Sequence, residues 1–319
     1  VWSAVFHSVS SFCTAGFSLY NDSFESYANS AGLNIVVSVL SVLGAIGYIV
    51  MVDVWLLIRK RKKEMTFTSR IILMTTALLW VAGILLLSLD GFAFKKRGGA
   101  SILHYIFQSM TALTTVGFNT IPISGLRPFS LFVLLVLMII GASPSGTGGG
   151  IKSTTISCLA GVVKGVLARD KEYIGNDSWA GRARRKKGKS GASEADTRDE
   201  SRLLFADVFK IKIMKQAIPF GRVLHAIATF TFYFAILFLG VLLLLLREPF
   251  PLEQILFEAA SALGTVGLST GITSSLSGYG KAIIILLMFI GRLGPITFGI
   301  FLFSRSSSAA KNGSADIVI

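Results

Sequence analysis

The sequence predicts an all-α polytopic membrane protein made of repeated units, each a helix, a short re-entrant helix and a second helix. Hydrophobic residues make up 52% of the chain and charged residues 15%, with a mean hydropathy of +0.68, outside the range of an ordinary soluble domain. Five apolar stretches approach or exceed the roughly 20 residues that cross a bilayer as helix. They cover 32–58, 71–89, 129–163 with a glycine-rich break inside, 223–246, and 282–304 with GRLGP inside. Shorter apolar segments at 1–14, 101–115 and 252–265 can enter hydrocarbon but are too short to cross it at 1.5 Å per residue.

Taken in order, the first short segment ends in TAGFS and leads into the span 32–58. The loop RKRKKEMTFTSR, residues 59–70, then carries six Lys or Arg against Glu64 alone, which places it in the cytoplasm. Asp53 lies near the inner end of the span beside these cations, where an interfacial ion pair is expected. IILMTTALLWVAGILLLSL, 71–89, holds no charge, and Lys95, Lys96 and Arg97 after it fall on the opposite side, against the charge bias. Residues 174–206 are rich in charge, Gly and Ser and poor in apolar residues, so disorder is expected there, with GRARRKKGK on the cytoplasmic side. The span 223–246 carries one ionisable residue, His225, which reads as a satisfied buried histidine.

The short segments are copies of one another. Phe6 to Ser18 aligns without a gap on Phe107 to Asn119 and on Phe257 to Ser269, and all three end in T-[AV]-G-[FL]-[SN]. A helix that stops inside a membrane leaves carbonyls unpaired, which is tolerated only where the backbone lines a watery cavity. Carbonyls facing such a cavity replace a cation's hydration shell, and the negative end of the half-helix favours positive charge there. A single T-x-G-x is better read as a plain turn between helices; three aligned copies favour the cavity. His7, Gln108 and Glu258 share the position nine residues before each Gly and are candidates to anchor the short helices to nearby backbone.

Other chemistries find little support. A net charge of +14 suggests nucleic acid, yet no aromatic-interleaved basic face occurs and the charges cluster in short loops between apolar runs, so no nucleic-acid partner is expected. Cys13 and Cys158 form neither a disulfide framework nor a metal site, and no Ser-His-Asp set or paired catalytic carboxylates appear, so no enzyme is expected. GASPSGTGGGIKSTT, 141–155, looks at first like a phosphate-binding loop. Ile151 precedes Lys152 where that motif requires Gly, and the segment before it is the apolar FSLFVLLVLMII rather than a short strand.

At these residues the chain resembles the Trk/Ktr/HKT superfamily of potassium transporters, most closely a bacterial pore-forming membrane subunit of Ktr or Trk type. TAGFS, TVGFN and TVGLS, followed by GASPSGTGGGIKSTT and GRLGP, occur in the family's order. The resemblance covers nearly the whole chain apart from 174–206 and implies four helix, pore-helix, helix repeats around a pseudo-fourfold pore. In those terms 1–66 is the second repeat without its outer helix, 67–170 the third, 171–218 a cytoplasmic linker and 219–319 the fourth with a C-terminal tail. The chain is then expected to continue upstream by roughly one and a half repeats.

The resemblance implies K+ at filter carbonyls of Thr14, Ala15, Gly16, Phe17, of Thr115, Val116, Gly117, Phe118, and of Thr265, Val266, Gly267, Leu268. It also implies that 141–152 interrupts an inner helix and obstructs the path, with Gly141, Ser143, Gly146, Thr147, Gly148, Gly149 and Gly150 as the gate. Each Gly costs about 1 kcal/mol against Ala in a helix and Pro about 3 kcal/mol, so Pro144 and these glycines cannot sustain one. A static kink packed by small residues is the bland alternative. Arg292, ionisable inside an apolar run, is expected to donate to loop carbonyls near 143–148 or to repel cations, or else to hold the bundle by pairing with a helix end; Lys152 either contacts the gate or snorkels.

Family likeness further implies a homodimer in the bilayer of a plasma membrane, a bacterial inner membrane, with a cytosolic nucleotide-binding regulatory subunit and no cofactor bound by this chain. A sodium-selective or sodium-coupled transporter of the same fold shares every feature, and a membrane scaffold without transport is the more distant alternative.

Overall fold

The structure, a computed structural model, describes residues 1–90, 102–173, 212–213, 216–294 and 297–300. The expected disorder over 174–206, Lys95, Lys96 and Arg97, and the C-terminal tail lie outside the described residues. Among those residues the chain forms α1 (Trp2–Phe12), α2 (Ala31–Ile58), α3 (Phe67–Leu89), α4 (Ile102–Thr114), α5 (Pro128–Ile139), α6 (Ser153–Tyr173), α7 (Phe220–Leu245), α8 (Leu252–Leu263) and α9 (Gly278–Leu293). The extended pairing described is one two-residue antiparallel ladder, Lys212–Ile213 with Gln216–Ala217.

α2, α3 and α7 are each long and apolar enough to cross a membrane. The stretch 129–163 is two helices, α5 and α6, parted by non-helical residues 140–152. The apolar run from 282 likewise stops at Leu293, where Gly294 takes φ 86°. α1, α4 and α8, the short segments, enter and turn back.

Burial is distributed as a membrane environment requires. Whereas α1 exposes Trp2, Val5 and Val9, the other two short helices, α4 and α8, are the core: Tyr105 and every residue from Phe107 to Thr114 are buried, as is every residue from Phe257 to Leu263. They pack with α5 and α7 through Leu113, Leu134, Met138, Tyr233 and Leu263. The long helices instead carry outward-facing apolar side chains, such as Leu78 at 69% and Phe238 at 66% exposure, a surface suited to lipid.

Buried carboxylates tie the helix ends. Asp53 receives Lys62 Nζ at 2.7 Å, the Thr66 N–H at 3.1 Å and the hydroxyls of Thr66 and Ser69, so the expected interfacial ion pair forms, with Lys62, and the buried carboxylate also closes the cap of α3. Asp90, at the outer end of α3, accepts from Ser130 Oγ at 2.6 Å and Arg127 at 3.3 Å at the start of α5. Glu248, just past α7, accepts from Ser277, the N-cap of α9. An acidic group at a helix N-terminus is favoured by the dipole, and burial strengthens the effect. Each outer helix thus staples the next inner helix in the same manner.

Candidate functional site

The three T-x-G-x segments share one backbone solution. The second residue closes back on the carbonyl five positions earlier: Ala15 N to Ser10 O at 2.8 Å, Val116 N to Thr111 O at 3.2 Å, Val266 N to Ser261 O at 2.9 Å. The threonine N–H closes on Ser11, Ala112 and Ala262 at 3.1, 3.3 and 3.1 Å. This double closure ends a helix with a left-handed residue, usually Gly. Here it is Thr14, Thr115 and Thr265, with φ 49°, 58° and 52°. A β-branched residue in that region costs about 1–3 kcal/mol and persists only where its surroundings hold it. The closures use the backbone donors of the helix end; of the carbonyls that follow, that of Phe17 accepts from Ser10 Oγ at 2.8 Å.

The glycines then turn the chain back with φ 70° at Gly16, 85° at Gly117 and 92° at Gly267. A Cβ on Gly16 would run into the Val116 carbonyl oxygen, and one on Gly117 into that of Val266. The three strands therefore stand side by side in sequence, with the carbonyl of the second against the glycine of the first and that of the third against the glycine of the second. Gly267 has no such neighbour within 4 Å. Phe118 is fully buried against Phe24, ring centroids 4.7 Å apart, and Leu268 is buried, whereas Phe17 is 69% exposed.

The segment 140–152 lies against the underside of all three strands. Gly149 N donates to Thr115 Oγ1 at 2.9 Å, and Thr14 Oγ1 donates to Thr147 Oγ1 at 3.0 Å. A Cβ on Gly149 would strike the Gly264 carbonyl and Thr265 Oγ1, so only glycine fits beneath that strand. Internally, Ala142 N pairs with Gly149 O at 3.1 Å and Gly146 N with Ser143 O at 3.1 Å, with Gly141 and Gly150 in close contact at the base. The N–H groups of Ala142, Gly146, Gly149 and Ile151 are thus taken up within the fold rather than turned toward a phosphate. Two cations reach adjacent carbonyls of the segment: Lys152 Nζ donates to Gly148 O at 2.7 Å and Arg292 to Thr147 O at 3.2 Å.

One contact surface was not foreseen. α2 bends at Gly47, which takes φ 79°, ψ 170° where Ser145 presses against it, and the carbonyls of Gly44 and Ala45 accept from Thr147 N and Ser143 N, both at 3.1 Å. The pair Gly44 and Gly47 inside an apolar span was the available signal. Below the segment a cavity of about 390 Å³ is lined by Gly148, Lys152, His225, Tyr233, Thr265 and Arg292, and a neighbouring one of about 550 Å³ shares Pro144 and His225 with it. His225 is therefore not the buried histidine expected. It is exposed, because the break in the facing helix opens space beside α7.

Residues 1–311 match the model of a family described as TrkH, cation transport protein. The chain is 31% identical over 316 residues to the Ktr system potassium uptake protein B of Bacillus subtilis, covering 97% of this chain and 61% of that protein. It is 31% identical over 304 residues to the protein of that name from Vibrio alginolyticus, 94% and 58% covered, and 31% over 324 residues to the potassium/sodium uptake protein NtpJ of Enterococcus hirae, 98% and 62% covered. The chain thus spans about three fifths of the length of these curated relatives. Its fold is similar to that of the crystal structure of the potassium transporter TrkH from Vibrio parahaemolyticus, with a TM-score of 0.68 at 20% identity over 95% of this chain and 58% of the other.

Proposed function

Since this chain belongs to the TrkH family of cation transport proteins and is a multi-pass membrane protein, we propose that it forms most of a pore for potassium uptake. The observation that carries this reading is the set of three left-handed Thr and Gly pairs whose strands stand side by side, carbonyl to glycine. Strands 14–17, 115–118 and 265–268 act as a filter whose carbonyls take the place of the ion's water, with the C-termini of α1, α4 and α8 aimed at it. The open flank of Gly267 is where a further strand would complete the ring.

The segment 141–152 is the gate. Its contacts with Thr14, Thr115 and α2 support a position under the filter, and Arg292 and Lys152 both tie it down and put positive charge on the ion's route. Opening withdraws the segment from Thr115. In the plasma membrane of a bacterium the protein works as a homodimer under a cytosolic nucleotide-binding subunit, which docks on the basic cytoplasmic loops.

The test is uptake of K+ and of Na+ into proteoliposomes holding the native protein. Potassium flux that Gly117→Ser abolishes or makes unselective supports the reading; no flux of either ion sinks it. Dominant sodium flux would favour a second reading, a sodium-conducting pore, which the potassium/sodium name of the Enterococcus hirae relative keeps in view.

A further inference from the structure

In two of the three units the side chain nine residues ahead of the filter glycine reaches the backbone that leaves the filter. His7 Nδ1 donates to Ser3 O at 2.7 Å, which fixes the tautomer and leaves Nε2 as an acceptor. That Nε2 takes the Leu19 N–H at 3.2 Å and lies 3.2 Å from Ser18 Oγ. Glu258 Oε1 takes the Thr270 N–H at 2.8 Å and the hydroxyls of Ser269 and Thr270 at 2.7 and 3.0 Å, and Oε2 takes that of Thr273 at 2.7 Å. Leu19 and Thr270 are each the third residue past the glycine. An imidazole and a carboxylate share little except a buried acceptor, so the acceptor is what recurs.

The middle unit departs from this. Gln108 is 1% exposed, and neither its Oε1 nor its Nε2 has a partner. The backbone beyond Gly117 is instead held across the unit boundary. Asn119 N donates to Ser23 Oγ at 3.2 Å, Asn119 Nδ2 to Glu25 Oε1 at 2.8 Å, and Asn119 O accepts the Phe24 N–H at 3.0 Å.

We propose that His7 and Glu258 are positioning residues for cation selection, each setting the height of its filter strand through the backbone N–H three residues past the glycine, while Asn119 does this for the middle strand from the neighbouring unit. The inference rests on the transport reading above. Each strand is anchored below by its left-handed threonine and above by one of these acceptors or clamps, so its carbonyls stand on a segment fixed at both ends. Discrimination between ions of different size depends on where those carbonyls stand. None of the three side chains needs to touch the ion.

The experiment compares K+ and Na+ uptake by the native protein with that of single variants. His7→Ala, Glu258→Ala and Asn119→Ala are each expected to lower potassium over sodium selectivity about tenfold, the scale of one lost buried hydrogen bond. His7→Gln and Glu258→Gln restore an acceptor and keep selectivity within about threefold, and Gln108→Leu, which removes no bond, changes it less than about twofold. Retained selectivity in His7→Ala and Glu258→Ala, or an equal loss in Gln108→Leu, overturns the proposal. If the alanine variants do not accumulate in membranes, the glutamine pair decides: retained selectivity supports positioning and lost selectivity overturns it. Absence of flux from the unmodified protein brings down the transport reading and this inference with it.

Discussion

Gly149 donates its backbone N–H to Thr115 Oγ1 at 2.9 Å, and Thr115 is the left-handed hinge on which the middle filter strand turns. The proposed gate and filter thus share a hydrogen bond, which helps hold a β-branched residue at φ 58° from below. Gly149→Ala would force the segment off its seat, since the new methyl meets the Gly264 carbonyl and Thr265 Oγ1. Overpacking of this kind costs about 1–3 kcal/mol, so resting potassium uptake is expected to rise about fivefold to a hundredfold. Uptake without activation, compared between variant and parent, is the measurement; unchanged resting uptake by a folded variant would remove the gate from this segment.

Arg292 and Lys152 hold neighbouring carbonyls, Thr147 O and Gly148 O. Arg292→Ala and Lys152→Ala should each raise resting uptake about three- to tenfold, the scale of one net intramolecular hydrogen bond. The double variant should fall short of the product, because both act on one peptide segment. A multiplicative double-mutant cycle would show that the two residues act separately.

A Cβ on Gly117 meets the Val266 carbonyl, while one on Gly267 meets nothing within 4 Å in this chain. If a further strand closes the proposed ring beside Gly267, Gly267→Ser should be as damaging to selectivity as Gly117→Ser. A Gly267→Ser variant that loses only the about 1–3 kcal/mol of backbone strain, and keeps its ion preference, would argue against a closed ring.

Asp90 and Glu248 staple successive helices, and both are nearly buried. Removing either carboxylate leaves Ser130 or Ser277 without its acceptor, so Asp90→Ala and Glu248→Ala are expected to cost about 1–3 kcal/mol. Thermal unfolding in detergent should show a midpoint several degrees lower in each. An unchanged midpoint would mean that water substitutes freely at the helix ends.

The helical architecture was largely legible in the sequence because spanning helices are long, uncharged and tell their length directly. The breaks were legible too, since the clustered glycines and Pro144 of 141–150 cannot continue a helix and the repeated T-x-G-x marks where short helices end. What could not be read was partnership. The pair Gly44 and Gly47 marks a weak point in α2, but whether the helix bends there depends on Ser145, nearly a hundred positions away. His225 looked buried because its helix is apolar, but the void beside it is made by the break in α5 and α6. Asp90 and Glu248 lie at the ends of apolar runs, and nothing local in the sequence says which helix start each one meets.

The bend of α2 at Gly47 has a thermodynamic consequence. While the segment is seated, the carbonyls of Gly44 and Ala45 are satisfied by Thr147 and Ser143. If it withdraws and α2 straightens, the same two oxygens regain the N–H groups four residues on, those of Tyr48 and Ile49, as in any continuous helix. The helix exchanges one set of partners for another and its hydrogen-bond count stays level. The enthalpy difference between the two states is then small on the α2 side, and the balance rests on the segment's remaining bonds, to Thr14, Thr115, Lys152 and Arg292.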